Sequence, residues 1–235
     1  MAIDLPSPSD LPPLMVVGAG KLGSAVAEVW TRHGGTVGKQ MNAGEPWSPE
    51  GLVFEATVPD AAFDHVRICV EHRVPVVTGT TGWLERLDEL KAAVDAAGSC
   101  AFWSTNFSPG VHALNLVAAH AASVFERIPG YRASIQEVHH VHKVDAPSGT
   151  ALTLSEWVKR GGWSGNVAID SVREGDVVGL HALAWDSAHD AFVLQHEAKS
   201  RVGFAEGAVW ALRWTWERQR REEFGLYTMT DLFQP

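Results

Sequence analysis

At 235 residues, with 46% hydrophobic and 20% charged side chains, the chain can bury a core and is long enough for two modest domains; disordered and collagen-like classes are excluded. A formal net charge of -9 with no basic tract argues against nucleic acid or an anionic membrane surface as partner, since both call for clustered Lys and Arg. An anionic small molecule would therefore need a local positive pocket.

Residues 1–13 are acidic and rich in Pro and Ser, lack the basic and apolar regions of a signal peptide, and read as a disordered leader. From Leu14 the run "LMVV" predicts a short strand, followed by the glycine turn "GAGKLG" and by "SAVAEVWTRHGG", whose apolar spacing is helical and ends at Gly34 and Gly35. Next come a strand at "TVGKQ", a buried strand at "LVFEAT" and a helix after Pro59 through "DAAFDHVRICVEHR". A strand "VPVV", a helix "LERLDELKAAVDAAG" and a strand "CAFW" continue the alternation, which predicts an α/β, doubly wound parallel sheet. After a helix around "VHALNLVAAHAASVF" the rhythm changes. Longer alternating runs, "ASIQEVHHVH", "GDVVGLHALAW" and "DAFVLQHEA", are interrupted by one helix, "GTALTLSEWVKR", and predict an antiparallel or mixed sheet in a second domain. The stretch "EGAVWALRWTWERQRREEF" returns to a helical period.

Cys69 and Cys100 lie in apolar surroundings without CxxC spacing, as buried reduced thiols do. No apolar run reaches the roughly 18 residues of a membrane span. Together these features predict a cytoplasmic protein with neither nucleic acid nor membrane as partner.

Three stretches carry chemistry. Gly18, Gly20 and Gly23 form G-x-G-x-x-G directly after a strand and at a helix start, where a tight turn and unsatisfied N–H groups receive a pyrophosphate. A second turn, "TGTTG" from Thr78 to Gly82, follows "VPVV" at the carboxyl edge of the sheet, where such folds bind ligands. Either turn could instead serve only to pack a helix on the sheet. The third stretch is "EVHHVHKVDAPSGTAL". If extended, it places His139, Val141 and Lys143 on one face; a helical reading also brings His139 and Lys143 together. A histidine can pass a proton near neutral pH, and a lysine beside it can bind a carboxylate. The turn "DAPSG" then opens a helix whose first amides, at Gly149, Thr150 and Ala151, can grip an anion. A solvated turn and a metal site are the alternatives; without a thiolate or HExxH spacing, no metal is expected.

That stretch strongly resembles the signature of the 4-hydroxy-tetrahydrodipicolinate reductase (dihydrodipicolinate reductase) family of bacterial lysine and diaminopimelate synthesis. "GAGKLG", "GTTGW", "TNFSPGV", "REGDVVGLH" and "FAEGAVWALRW" follow the family's order, so the resemblance covers nearly all of the chain from Leu14. It implies a Rossmann-type dinucleotide-binding domain over 14–108, completed by 204–235. It also implies an α+β mixed-sheet substrate-binding and oligomerisation domain over 109–203, usually in a homotetramer. The reaction implied is hydride transfer from NADPH or NADH to an unsaturated cyclic dicarboxylate.

By position the resemblance makes His139 the proton donor/acceptor and Lys143 a proton donor, with Lys143, His140, Ser148, Gly149 and Thr150 at the substrate. Arg201 is expected either to clamp a carboxylate or to form a structural salt bridge. The cofactor is assigned Gly18, Ala19, Gly20, Lys21, Leu22 and Gly23, then Gly79, Thr80 and Thr81, and the segment Ser104, Thr105, Asn106 and Phe107. The glycine turn departs from the family's "GRMG", having "GKLG". The second strand shows no carboxylate before Glu45, so nothing repels a 2′-phosphate and Lys39 could attract one; dual use of NADPH and NADH is expected. A related dehydrogenase of an amino dicarboxylic acid and a non-catalytic dinucleotide-binding regulator stay open as alternatives.

Overall fold

The computed structural model describes residues 5–42 and 47–233. It contains two compact units: Met1–Ser108 with Val202–Pro235, and Pro109–Arg201. The first begins with β1 (Leu14–Val17), α1 (Lys21–Arg32), β2 (Val37–Met41), β3 (Leu52–Glu55), α2 (Pro59–Glu71), β4 (Val76–Thr78), α3 (Leu87–Ala97) and β5 (Cys100–Trp103). The second holds α4 (Pro109–Phe125), β6 (Arg132–His139), α5 (Gly149–Arg160), β7 (Val167–Arg173), β8 (Leu180–Asp186) and β9 (Ala191–Glu197). The chain then returns to the first unit with α6 (Val202–Arg220), β10 (Gly225–Tyr227) and α7 (Met229–Phe233).

The first sheet is parallel throughout, in the order β10-β5-β4-β3-β1-β2. Its central strands are apolar on both sides because helices cover both faces. Leu14, Val16, Phe54 and Phe102 pack toward α1, α6 and α7, whereas Met15, Val17, Val53 and Ala101 pack toward α2 and α3. Strand order reverses between β1 and β3, and in sheets of this kind the crevice at such a point, outside the carboxyl ends, is where ligands bind.

The second sheet is mixed, in the order β7-β6-β8-β9, with β6 parallel to β7 and antiparallel to β8. One face is apolar: Ala133, Ile135, Leu183 and Trp185 pack under α4 and α5.

Several expectations are corrected. The run "ASIQEVHHVH" is extended only to His139, where β6 ends and a turn begins. In the segment "GDVVG", Gly175 and Asp176 form a turn and the next three residues are irregular, so β8 starts at Leu180. The strand β7, "VAIDSVR", escapes sequence reading because Asp170 and Ser171 interrupt its apolar pattern and it lies at a sheet edge. Residues 5–13 are not a disordered leader: Leu5 and Leu11 pack on the first core, Pro8–Asp10 form a 3-10 turn, and Arg213 donates to the carbonyls of Leu5 (2.8 Å) and Pro6 (2.6 Å). An arginine in a distant helix supplies donors that composition cannot reveal. Residues 1–4 of that leader lie outside the described residues. Both cysteines are buried and unpaired.

Candidate active site

The glycine turn closes β1 onto α1 at the point where strand order reverses. Gly18 has φ 109°, a left-handed conformation that favours glycine, and a Cβ there would lie 2.1 Å from the Ala56 carbonyl oxygen of the neighbouring βα turn. A Cβ on Gly23 would lie 2.0 Å from the Gly18 carbonyl oxygen, so the third glycine lets the helix approach the turn. Around Gly20 there is open space within 4 Å, and no side chain caps α1. This cradle of bare backbone at a helix N-terminus fits a dinucleotide pyrophosphate. Ala19 and Lys21 are exposed beside it, and Leu22 approaches the position that a Cβ of Gly79 would take, as does Phe107. Three of the expected cofactor residues are thus brought together. Phe107 itself is a core residue, 2% exposed and packed on Phe54 and Phe102, so its ring is directed inward. Ser104 and Asn106 form a tight turn in which Ser104 Oγ donates to the Asn106 carbonyl at 2.7 Å; Thr105 is exposed. Lys39 is exposed on β2, opposite Met15 of β1. Glu45, the first carboxylate after it, lies outside the described residues.

Behind the second turn lies a residue that sequence reading passed over. Glu55, at the end of β3, is fully buried. Its Oε1 accepts from the Thr57 amide (2.9 Å), the Thr57 hydroxyl (2.5 Å) and the Thr80 hydroxyl (3.0 Å), and its Oε2 from the Thr78 hydroxyl (2.5 Å). Burial pushes the Glu55 pKa up, but nearby His65 and the hydrogen bonds from Thr57, Thr78 and Thr80 outweigh it and the net shift is downward. One carboxylate therefore ties the turn after β3 to the turn after β4, and fixes Thr80. Thr81 is exposed beyond it.

The histidine cluster is built by strand geometry. Alternation along β6 puts Ala133, Ile135, Glu137 and His139 on the covered face, so two polar residues continue an apolar row. The antiparallel register sets His181 of β8 opposite Glu137, and the parallel register sets Arg173 of β7 opposite His139. Glu137 Oε1 accepts from Arg173 Nη2 at 2.9 Å and from the Ser148 amide at 3.3 Å, while Oε2 meets His139 Nδ1. The rings of His139 and His181 meet edge-on, with centroids 5.1 Å apart. Burial pushes the His139 pKa down, Glu137 opposes that, and the charges of Lys143 and Arg173 add to it; the net shift is downward. His181, more deeply buried and beside His139, is pushed down to about 4. Glu137 is raised by burial but lowered further by neighbouring Ser171, by the Arg173 hydrogen bond and by the charges of His139 and Arg173, so the net shift is downward.

Past His139 the chain turns: the Lys143 amide donates to the His140 carbonyl at 3.1 Å, which removes the extended pairing expected for His139 and Lys143. Lys143 Nζ donates to both oxygens of Asp145, at 2.7 and 2.9 Å, and its charge disfavours protonation of His139. Ser148, 2% exposed, is the N-cap of α5: its Oγ accepts from the Ala151 amide at 3.2 Å and contacts His181 Nε2 at 3.1 Å. The Ala151 amide is thus committed to the cap, a correction to its expected part in gripping an anion. Gly149 is exposed at the helix start with open space where a Cβ would be, and Thr150 follows it, half-buried. Arg201 Nη2 contacts His140 Nε2 at 3.3 Å. Glu137, Asp145, Arg173 and His181 were absent from the sequence reading; the one available signal was the two-residue spacing of Glu137 and His139 in a strand.

A parallel sheet with a glycine cradle at its switch point, and a second unit with a buried histidine beside a lysine, define a pyridine-nucleotide-dependent oxidoreductase. Family models for dihydrodipicolinate reductase match the chain over residues 50–107 (N-terminus) and 110–233 (C-terminus). A 4-hydroxy-tetrahydrodipicolinate reductase of Thiobacillus denitrificans is 34% identical over 92% of this chain and 85% of that protein; one of Christiangramia forsetii is 33% identical over 77% and 78%. A dipicolinate-bound dihydrodipicolinate reductase from Paenisporosarcina sp. TG-14 shares the fold, with a TM-score of 0.71 over 93% of this chain and 98% of that one at 19% identity. The chain belongs to the dihydrodipicolinate reductase family. Among the described residues no helix is long and apolar enough to cross a membrane.

Proposed function

We infer that the chain reduces 4-hydroxy-tetrahydrodipicolinate to tetrahydrodipicolinate in lysine and diaminopimelate biosynthesis, with NADPH or NADH as reductant. The observation that carries this reading is a buried, proton-competent His139 held close to a lysine and to the open start of α5, in a chain of this family. The reduction takes up a hydride and one proton, and the substrate's hydroxyl leaves as water. The bound nicotinamide supplies the hydride. Gly18, Gly20 and Gly23, with the backbone of Ala19, Lys21 and Leu22, hold the pyrophosphate, and Gly79, Thr80 and Thr81 with residues 104–107 flank the nicotinamide half. Lys143, Gly149 and Thr150 receive a substrate carboxylate, which replaces Asp145 on Lys143; His140 and Arg201 bind the other. The negative charge of the bound dicarboxylate favours the imidazolium of His139, countering its burial, and His139 then delivers the proton while Lys143 keeps the site positive. The protein is proposed to act in the cytoplasm as a homotetramer with no nucleic-acid or membrane partner.

Oxidation of NADPH and of NADH, followed by absorbance with freshly generated cyclic substrate, tests the reaction. Turnover with both cofactors is expected, with competitive inhibition by pyridine-2,6-dicarboxylate, and Lys39→Ala should lower kcat/KM for NADPH selectively. No turnover with either cofactor overturns the reading; an unselective Lys39→Ala removes only Lys39.

A further inference from the structure

His139 lies with Nδ1 against the Glu137 carboxylate and Nε2 against the backbone of Gly179. Glu137 is fully buried, and Arg173 and the Ser148 amide fix its Oε1, so Oε2 is aimed at Nδ1 of His139. An ionised carboxylate can only accept, so the ring nitrogen it meets carries the proton. The other nitrogen, Nε2, faces Gly179, where a Cβ would lie 3.1 Å from it and 3.8 Å from His181 Cε1. The backbone at Gly179 does not have the positive φ that demands glycine, so its lack of a side chain is a matter of space beside Nε2.

We propose that Glu137 is a positioning residue for the reduction: it holds the His139 ring by Nδ1 so that Nε2 is the atom that delivers the proton to substrate, with Gly179 keeping Nε2 accessible. This assignment rests on the reductase reading above. Glu137, His139 and His181 also offer donor atoms within 4.8 Å of one another, near enough to surround an ion. The Arg173 guanidinium bonded to the same carboxylate opposes a divalent cation there, which favours a proton device over a metal cage.

The charges facing His139 give the proposal a readout. They are Glu137 on β6, Arg173 on β7, His181 on β8 with His196 opposite it on β9, and Lys143 in the turn. Glu137 raises the affinity of His139 for its proton, while Lys143 and Arg173 lower it. An acid works while protonated, so activity falls as pH rises through the His139 pKa; without Glu137 that fall must come at lower pH.

The test uses the full chain. Glu137→Gln is expected to lower kcat roughly a hundredfold, the scale of a displaced general acid, and to move the basic limb of the kcat/KM profile to lower pH. Affinities for NADPH and for pyridine-2,6-dicarboxylate should be retained, and Glu137→Asp should recover part of the rate. Gly179→Ala, which leaves the carboxylate in place, is expected to lower kcat on the order of tenfold by crowding Nε2. Wild-type kcat and an unmoved limb in Glu137→Gln overturn the proposal, as does stoichiometric metal whose chelation abolishes turnover. If Glu137→Gln fails to fold, an unchanged kcat in Gly179→Ala overturns it. A wild-type enzyme that does not oxidise NADPH sinks the reductase reading instead, so the two failures are distinct.

Discussion

Two glutamates, one in each unit, are both fully buried near the carboxyl end of a strand, yet they are satisfied in opposite ways. Glu55 is surrounded by neutral donors, the hydroxyls of Thr57, Thr78 and Thr80 and one amide, with His65 Nδ1 farther away at 3.8 Å. Glu137 is met by the Arg173 guanidinium, the Ser148 amide and the His139 ring. Both end with pKa values held below the ordinary carboxylate range despite burial. A shell of hydroxyls carries information about position, because each bond pins a backbone turn. A shell of titratable and charged groups carries information about protonation. The difference accords with the proposed roles, cofactor geometry for the first unit's carboxylate and proton chemistry for the second's.

The sharpest way to break that contrast is to remove the proton chemistry alone. His139→Ala and Lys143→Ala are each expected to reduce kcat on the order of a hundredfold or more, with NADPH affinity kept, as measured by steady-state rates and fluorescence titration. Wild-type turnover in either variant would return the cluster to a structural role. At the other glutamate, Glu55→Ala strands three threonine hydroxyls at a cost of about 1–3 kcal/mol in stability. It should weaken NADPH binding roughly tenfold, equivalent to about 1.4 kcal/mol. Pyridine-2,6-dicarboxylate affinity, measured by calorimetry, should be unmoved; a change in both affinities would deny Glu55 its separate assignment.

The smallest expected effect concerns acid. His112, His139, His181 and His196, all in the second unit, have lowered pKa values, with burial the first cause of each. A lowered histidine is neutral in the fold and protonates more readily once unfolded. Its contribution is therefore intact above the unfolded value and is lost as pH falls; for His181 the window runs from 6.5 to about 4. Hydrogen exchange between those limits should show the second unit losing protection before the first, and His181→Gln should narrow the gap. Equal loss in both units would mean that burial of these rings does not govern acid stability.

The strand-helix alternation, the parallel and mixed sheets and the glycine turn were all legible, because apolar periodicity and glycine spacing are local properties. His139, Lys143 and the proline turn were noticed for the same reason: their chemistry is crowded into a few consecutive residues. The geometry among them was not. A strand continued past His139 would have aligned Lys143 with it, but the turn after β6 sends Lys143 to Asp145 and leaves its charge as the link between them. The leader was misread because Arg213, some 200 residues away in sequence, supplies its partners.

Sequence alone thus determined most of the elements, the glycine turns at the strand ends and the crowding of titratable side chains after β6. Only the tertiary structure decided what stands around them. That His181 lies opposite Glu137 and Arg173 opposite His139 follows from strand register, and that Glu55 collects hydroxyls from two separate turns follows from β3 lying beside β4. The physical reason is common to all of them. A buried carboxylate must be satisfied by whatever donors the fold brings within about 3 Å, and those donors come from strands that are neighbours in the sheet and distant along the chain.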